Sequence, residues 1–217
     1  MRAKKIINDE RQMEAAQCVL DIQLRYAQVG SSLALAAMAG ARRREELIHY
    51  PARDVFDPKN GTSFFYHAHR SKKFPINEHG HFHLFFYEKK LNDIVSQSDD
   101  FSHFIGLSLD DKGLPLRWFT TNRWVSGEQW RPAGELVQLL PTFLVQTNGR
   151  LAPVANWINA MVRLFQPQIA QLLYRRDKLM ARHIASSGRE FSFENRKLDV
   201  ITECSASLPA KIKQLGF

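Results

Sequence analysis

Apolar residues recur at intervals of three and four near the start of the chain, where Met13, Ala16, Leu20, Leu24 and Ala27 draw one stripe. That period predicts an amphipathic helix over about residues 9–40. Asn8 or Asp9 can cap its start, Gly40 can end it, and Gly30-Ser31-Ser32 offers a break within it. The pattern then changes. Pro51, Asp57-Pro58 and Asn60-Gly61 mark a turn-rich stretch, and the runs beyond it alternate with a period of two. Residues 64–70 and 80–87 read as strands. Residues 104–109 and 114–121 read as a hairpin around Asp110-Asp111-Lys112-Gly113. The links are too short for parallel crossovers, so the sheet is expected to be antiparallel. Helical spacing returns weakly at residues 133–145 and strongly over about 154–185, where Pro167 should kink or split the helix. A strand near 198–203 and a last turn near 209–215 complete the tail. The elements predict an α+β fold, an antiparallel sheet packed by an N-terminal helix and a long kinked C-terminal helix. The expected organisation is a single domain, 1–217: a helical segment at 1–45, a histidine-rich sheet at 50–130 and a helical part at 131–217.

Composition narrows the class. Of 217 residues, 44% are apolar and 24% charged, which fits a globular chain and excludes a disordered tail, a collagen-like repeat or a coiled-coil rod. A chain this long buries a core without covalent staples. Cys18 and Cys204 make neither a CxxC pair nor a disulfide framework, which points to a reducing, cytoplasmic compartment. No run of 18 apolar residues exists, so no membrane span is expected. Asp9, Glu10 and Arg11 interrupt what would be a signal-peptide core. Most of the net charge of +8 sits in the C-terminal part: residues 131–217 carry 12 Lys/Arg against 6 Asp/Glu, and residues 61–130 carry 8 against 8. A basic surface suits nucleic acid or an acidic partner, but the balanced middle argues against the histidine-rich strands gripping a phosphate backbone.

Five of the eight histidines, His67, His69, His79, His81 and His83, fall within 17 residues. Strand spacing puts His67 with His69 on one face, and His79 with His81 and His83 on one face. Symmetric pairing about residues 71–77 sets His67 opposite His81 and His69 opposite His79, with Cβ atoms about 4.5–5.5 Å apart. The other face carries Phe64, Tyr66, Phe82, Leu84 and Phe86, as a core surface needs. Clustered imidazoles are poor core filler unless their nitrogens are satisfied. An ion at about 2.0–2.1 Å satisfies them, and so does a network of carbonyls and carboxylates. An all-imidazole set suits a transition metal, Zn, Fe or Cu. The five are therefore the predicted metal ligands, with those beyond a tetrahedral set acting as orienting groups or proton carriers.

Further candidates flank the cluster. Glu78 is a candidate general base, or a partner that closes the loop by pairing with Arg70. Arg123 is a candidate catalytic cation for a carboxylate or phosphate, and Asn122 and Trp124 are candidates to orient a ligand or cofactor. Their alternative is a strand end with a packed indole. Asp54 or Asp57 can orient a ligating imidazole. His103 joins the cluster if its strand is adjacent, whereas His49 and His183 read as structural or exposed. Neither cysteine has a metal-ligand spacing, so both read as inert.

Three resemblances bear on these residues. His79-Gly80-His81-Phe82-His83-Leu84-Phe85 resembles the HxHxHxx motif of the histidine-triad nucleotide hydrolases and transferases, which implies His81 as a nucleophile on an α-phosphate. Gly61 with His67 and His69 resembles the opening of the first cupin motif, although the acid expected a few residues later is absent from residues 71–77. The segments HYPARDVFDP, FFYHAHR, EHGHFHLF and LRWFTTNRWVSGE together resemble an uncharacterised bacterial domain family over roughly residues 48–130. Three functions follow as expectations: a metalloenzyme, hydrolytic or oxidative, acting on a small molecule; a metal-free nucleotidyl hydrolase or transferase; or a non-catalytic module binding metal, haem or nucleic acid.

Overall fold

A computed structural model describes residues 2–43, 45–68, 77–88 and 100–216, with side chains from residue 10 onward. Six strands form one antiparallel sheet in sequence order: β1 (Tyr50–Asp57), β2 (Thr62–His67), β3 (Glu78–Tyr87), β4 (Phe101–Asp110), β5 (Pro115–Thr121) and β6 (Val200–Ser205). Around it stand α1 (Arg2–Gln28), α2 (Leu33–Ala37), α3 (Arg123–Ser126), α4 (Ala133–Leu139), α5 (Ala152–Leu164), α6 (Gln166–Ser187), α7 (Arg189–Phe193) and α8 (Leu208–Leu215). The fold is α+β, as the hydrophobic pattern predicts.

The differences in detail have physical reasons. Helix α1 begins at Arg2, ahead of the expected Asn8 or Asp9 cap. Its buried side is Ala15, Ala16, Val19 and Ile22, while Met13, Leu20 and Leu24 of the expected stripe are exposed. Ala15 and Ala16 let α1 lie along α5, and Val19 and Ile22 complete the buried face. The chain breaks at Gly30–Ser32 as expected, and the Ser32 hydroxyl caps α2 by accepting from the Leu35 N–H at 3.2 Å. The turn-rich stretch before residue 58 is instead the edge strand β1, where Pro51 costs no ladder bond. The long C-terminal pattern splits at Phe165, with Pro167 in the first turn of α6, where its missing N–H is not needed.

One face of the sheet is the core. Phe64, Tyr66, Phe82, Leu84 and Phe86 are buried there with Leu107 and Trp118. From the helical layer, Trp157 meets Phe82 and Phe165 meets Trp118. The opposite face carries a separate aromatic group, Phe65, Phe85 and Tyr87, with Phe56 and Phe101 packed on it. It also carries His67, His81, His83 and His103. Two glycines keep the faces in place. A side chain at Gly106, opposite His83 on β4, would run into the Phe119 ring at 2.3 Å. A side chain at Gly80 would strike the Tyr66 phenol and the His67 carbonyl, both at 2.7 Å. Gly106→Ala overpacks a filled site and is expected to cost about 1–3 kcal/mol, read as a lower midpoint in urea unfolding with an unchanged slope.

Candidate metal centre

His67 ends β2 and His81 lies opposite it on β3, the pairing the strand spacing predicts. Their Nε2 atoms are 2.7 Å apart, and the Nε2 of His83, two residues along the same face, is 3.2 Å from that of His67. Among the described residues these three imidazoles are the group whose ligand atoms converge as an ion requires, all within 4.8 Å of one another. Donors bound to a tetrahedral ion at about 2.0–2.1 Å stand roughly 3.3–3.4 Å apart, so the 3.2 Å pair already has that spacing.

The Nδ1 atoms of His81 and His83 are committed. His81 Nδ1 meets the Glu78 carboxylate at 2.6 Å, and this carboxylate also faces Arg117 at 3.5 Å. His83 Nδ1 meets His103 Nε2 at 2.8 Å, and His103 Nδ1 meets the Thr121 hydroxyl at 3.0 Å. The bonds run consistently when His81 donates to Glu78, His83 donates to His103, and His103 donates to Thr121. His81 and His83 then both present an Nε2 lone pair to His67. Lone pairs this close repel unless a proton or a cation lies between them. The Phe119 ring stands edge-on to His81 and His83, at 5.3 and 5.8 Å between centroids, and limits their rotation. Arg117 lies over the same ring and pairs with Glu203.

Burial sets the charge of His83 and His103. His81, His83 and His103 are almost fully enclosed. Burial, with neighbouring imidazoles adding to it, lowers His83 well below the usual imidazole range, so its lone pair is available at neutral pH. Burial, then Arg176, lowers His103 to about 3. Glu128 is driven the other way, raised by burial to about 8, and its Oε2 accepts the His103 N–H at 2.5 Å. Above His67 and His83 opens a cavity of about 420 Å³, walled by Phe65, Phe85, Tyr87 and Phe101.

The structure does not gather all the predicted site residues. His69 and Arg70 lie outside the described residues. His79 does not share a face with His81. The register shifts between Glu78 and Gly80, and this bulge turns the His79 ring to the core side, where Nδ1 meets the Tyr66 hydroxyl at 2.7 Å. The same shift brings Glu78 beneath His81. Arg123 pairs with Glu190 and Glu194 and lies near Phe193. Asn122 caps α3 and reaches the Ser192 carbonyl, and the Trp124 indole donates to Leu198. None of these three lines the cavity. Asp57 braces the turn after β1, accepting from Lys59, Asn60 and Gln146. Asp54 meets His49 at 3.0 Å, and His49 lies flat on Phe65 at the cavity rim. His183 is exposed on α6. Burial raises both thiols, so neither cysteine is an activated nucleophile.

His103 does join the cluster, because β4 pairs with β3. Thr121 and Phe119 were missed; alternation along β5 from Arg117 would have found them. Nothing in the pattern marks Glu128.

The chain belongs to the family described as a domain of unknown function (DUF6969), whose model matches residues 13–206. The match agrees with the expectation of an uncharacterised domain family and gives no support to the histidine-triad or cupin likeness. No curated protein and no solved structure matches the chain.

Glu128 generates a pH prediction. Its carboxyl stays protonated in the folded protein up to about pH 8 but ionises near its ordinary value once unfolded. Its contribution to stability is therefore present at acid pH and is lost as pH rises toward 8. Glu128→Gln keeps the acceptor for His103 and removes the titration. Thermal unfolding is expected to show wild type and variant close together at pH 5 and the variant several degrees more stable at pH 8.

Proposed function

We propose that the protein is a metalloenzyme in which His67, His81 and His83 hold one transition-metal ion through Nε2, with the remaining coordination positions facing the cavity. The observation that carries this reading is the convergence of three Nε2 atoms while the Nδ1 atoms of His81 and His83 are held from behind. Such outer partners fix the tautomer and strengthen the donor. Three neutral imidazoles suit zinc, iron and copper and disfavour magnesium and calcium. Bound there, zinc supplies an acidified water for hydrolysis, and iron or copper supplies a centre for oxygen chemistry.

The chain's own residues have distinct parts in this reading. Glu78, engaged with His81 and Arg117, is a positioning residue rather than a free base. His103 and Thr121 position His83. Arg123, Asn122 and Trp124 fasten α3 to the segment around α7. The substrate is a small molecule admitted to the cavity. A metal-free histidine-triad reaction has less behind it, since the bulge parts His79 from His81.

The test is metal content by mass spectrometry on protein purified without a histidine tag, then stripped and reloaded with Zn²⁺, Fe²⁺ or Cu²⁺. About one ion per chain is expected, falling to background in His67→Ala and His81→Ala proteins of unchanged circular dichroism. Glu78→Gln is expected to retain the site with roughly 10–100-fold weaker affinity. Wild-type protein that takes up none of the three ions would overturn the proposal.

A further inference from the structure

We infer that the cavity above the histidine cluster binds a small carboxylic acid with a flat, apolar body. Only the placing of this acid beside a bound ion rests on the metal reading. The cavity, about 420 Å³, falls within the range of small-molecule sites, about 300–1,000 Å³. Four aromatic rings, Phe65, Phe85, Tyr87 and Phe101, wall it, so its surface calls for an apolar occupant. That a flat ring fits this wall is visible in the protein itself. The His49 imidazole lies on Phe65 at 3.7 Å between centroids, with the planes 10° apart.

The polar groups that line the cavity select the occupant's charge. Asp54 is already engaged by His49. Arg53, exposed at the rim, has no ion-pair partner among the described residues. Ser126 is also in the lining, and its hydroxyl has no hydrogen-bond partner among the described residues; it is shielded from water in its present rotamer, and a turn about χ1 brings it to the cavity. A buried hydroxyl left without a partner is a standing cost that a ligand oxygen relieves. One open guanidinium and one unused donor around an aromatic wall match a carboxylate carried on a flat body. The floor is His67 and His83, so the body of the ligand reaches toward the centre of the cluster.

Calorimetric titration with phenylacetate, its neutral amide phenylacetamide, and acetate tests the inference on metal-loaded and metal-stripped protein. Phenylacetate is expected to bind about tenfold tighter than either comparison compound. Arg53→Gln should abolish its advantage over the amide, and Ser126→Ala should weaken phenylacetate several-fold. Val125→Trp, which fills the cavity from α3, should block binding while metal uptake stays intact. Metal uptake without phenylacetate binding, or phenylacetate binding unaffected by Val125→Trp, overturns the cavity inference alone. Phenylacetate binding that Val125→Trp blocks, in a protein that takes up no metal, upholds the cavity inference and sinks the metal reading.

Discussion

The register of β2 on β3 is the constraint on which the rest of the structure depends. Side chains alternate between the faces of a strand, so one residue of slip would send His67 and His83 into the helical layer and Phe82 and Leu84 out of it. The pairing His67 to His81 is fixed on both faces at once. On the core side, Tyr66 and Phe82 pack against each other at 4.8 Å, and the Tyr66 phenol lies over Gly80, where no side chain fits. On the other side, Phe119 enters the space left by Gly106 and abuts His81 and His83. The hydrophobic core therefore positions the polar cluster through the sheet.

Enclosing three imidazoles beside one another is unfavourable unless every nitrogen has a partner. The protein supplies partners from behind and leaves the front convergent. Glu78 holds His81, His103 holds His83, and Thr121 holds His103. Burial keeps His83 and His103 neutral at neutral pH. Nearby, the same low-polarity surroundings keep Glu128 protonated against its ordinary tendency. Convergent donors held from behind are what an ion needs and what a solvated histidine patch lacks.

Periodicity made the architecture legible. Five of the six strands, the split at Pro167 and the pairing of His67 with His81 follow from spacing alone. What spacing hides is the local irregularity. The bulge between Glu78 and Gly80 breaks the period of two, so His79 leaves the face of His81 and Glu78 joins it. β1 was obscured by Pro51 and Asp57-Pro58, which are turn signals in general and are tolerated on this edge strand. The α1 stripe misled because a second apolar set, Ala15, Val19 and Ile22, runs beside it and shares Ala16, and that set is the one buried. His103 depended on strand adjacency, a property of topology, and Glu128 on a contact between a strand backbone and a distant side chain.

The central claim is that three imidazoles of this cluster converge on one ion. X-ray absorption at the metal edge, on protein loaded with one equivalent of Zn²⁺, tests it most directly. The account predicts three nitrogen neighbours at about 2.0–2.1 Å with the multiple scattering of imidazole rings. A first shell of sulfur, or of oxygen without imidazole scattering, would contradict it.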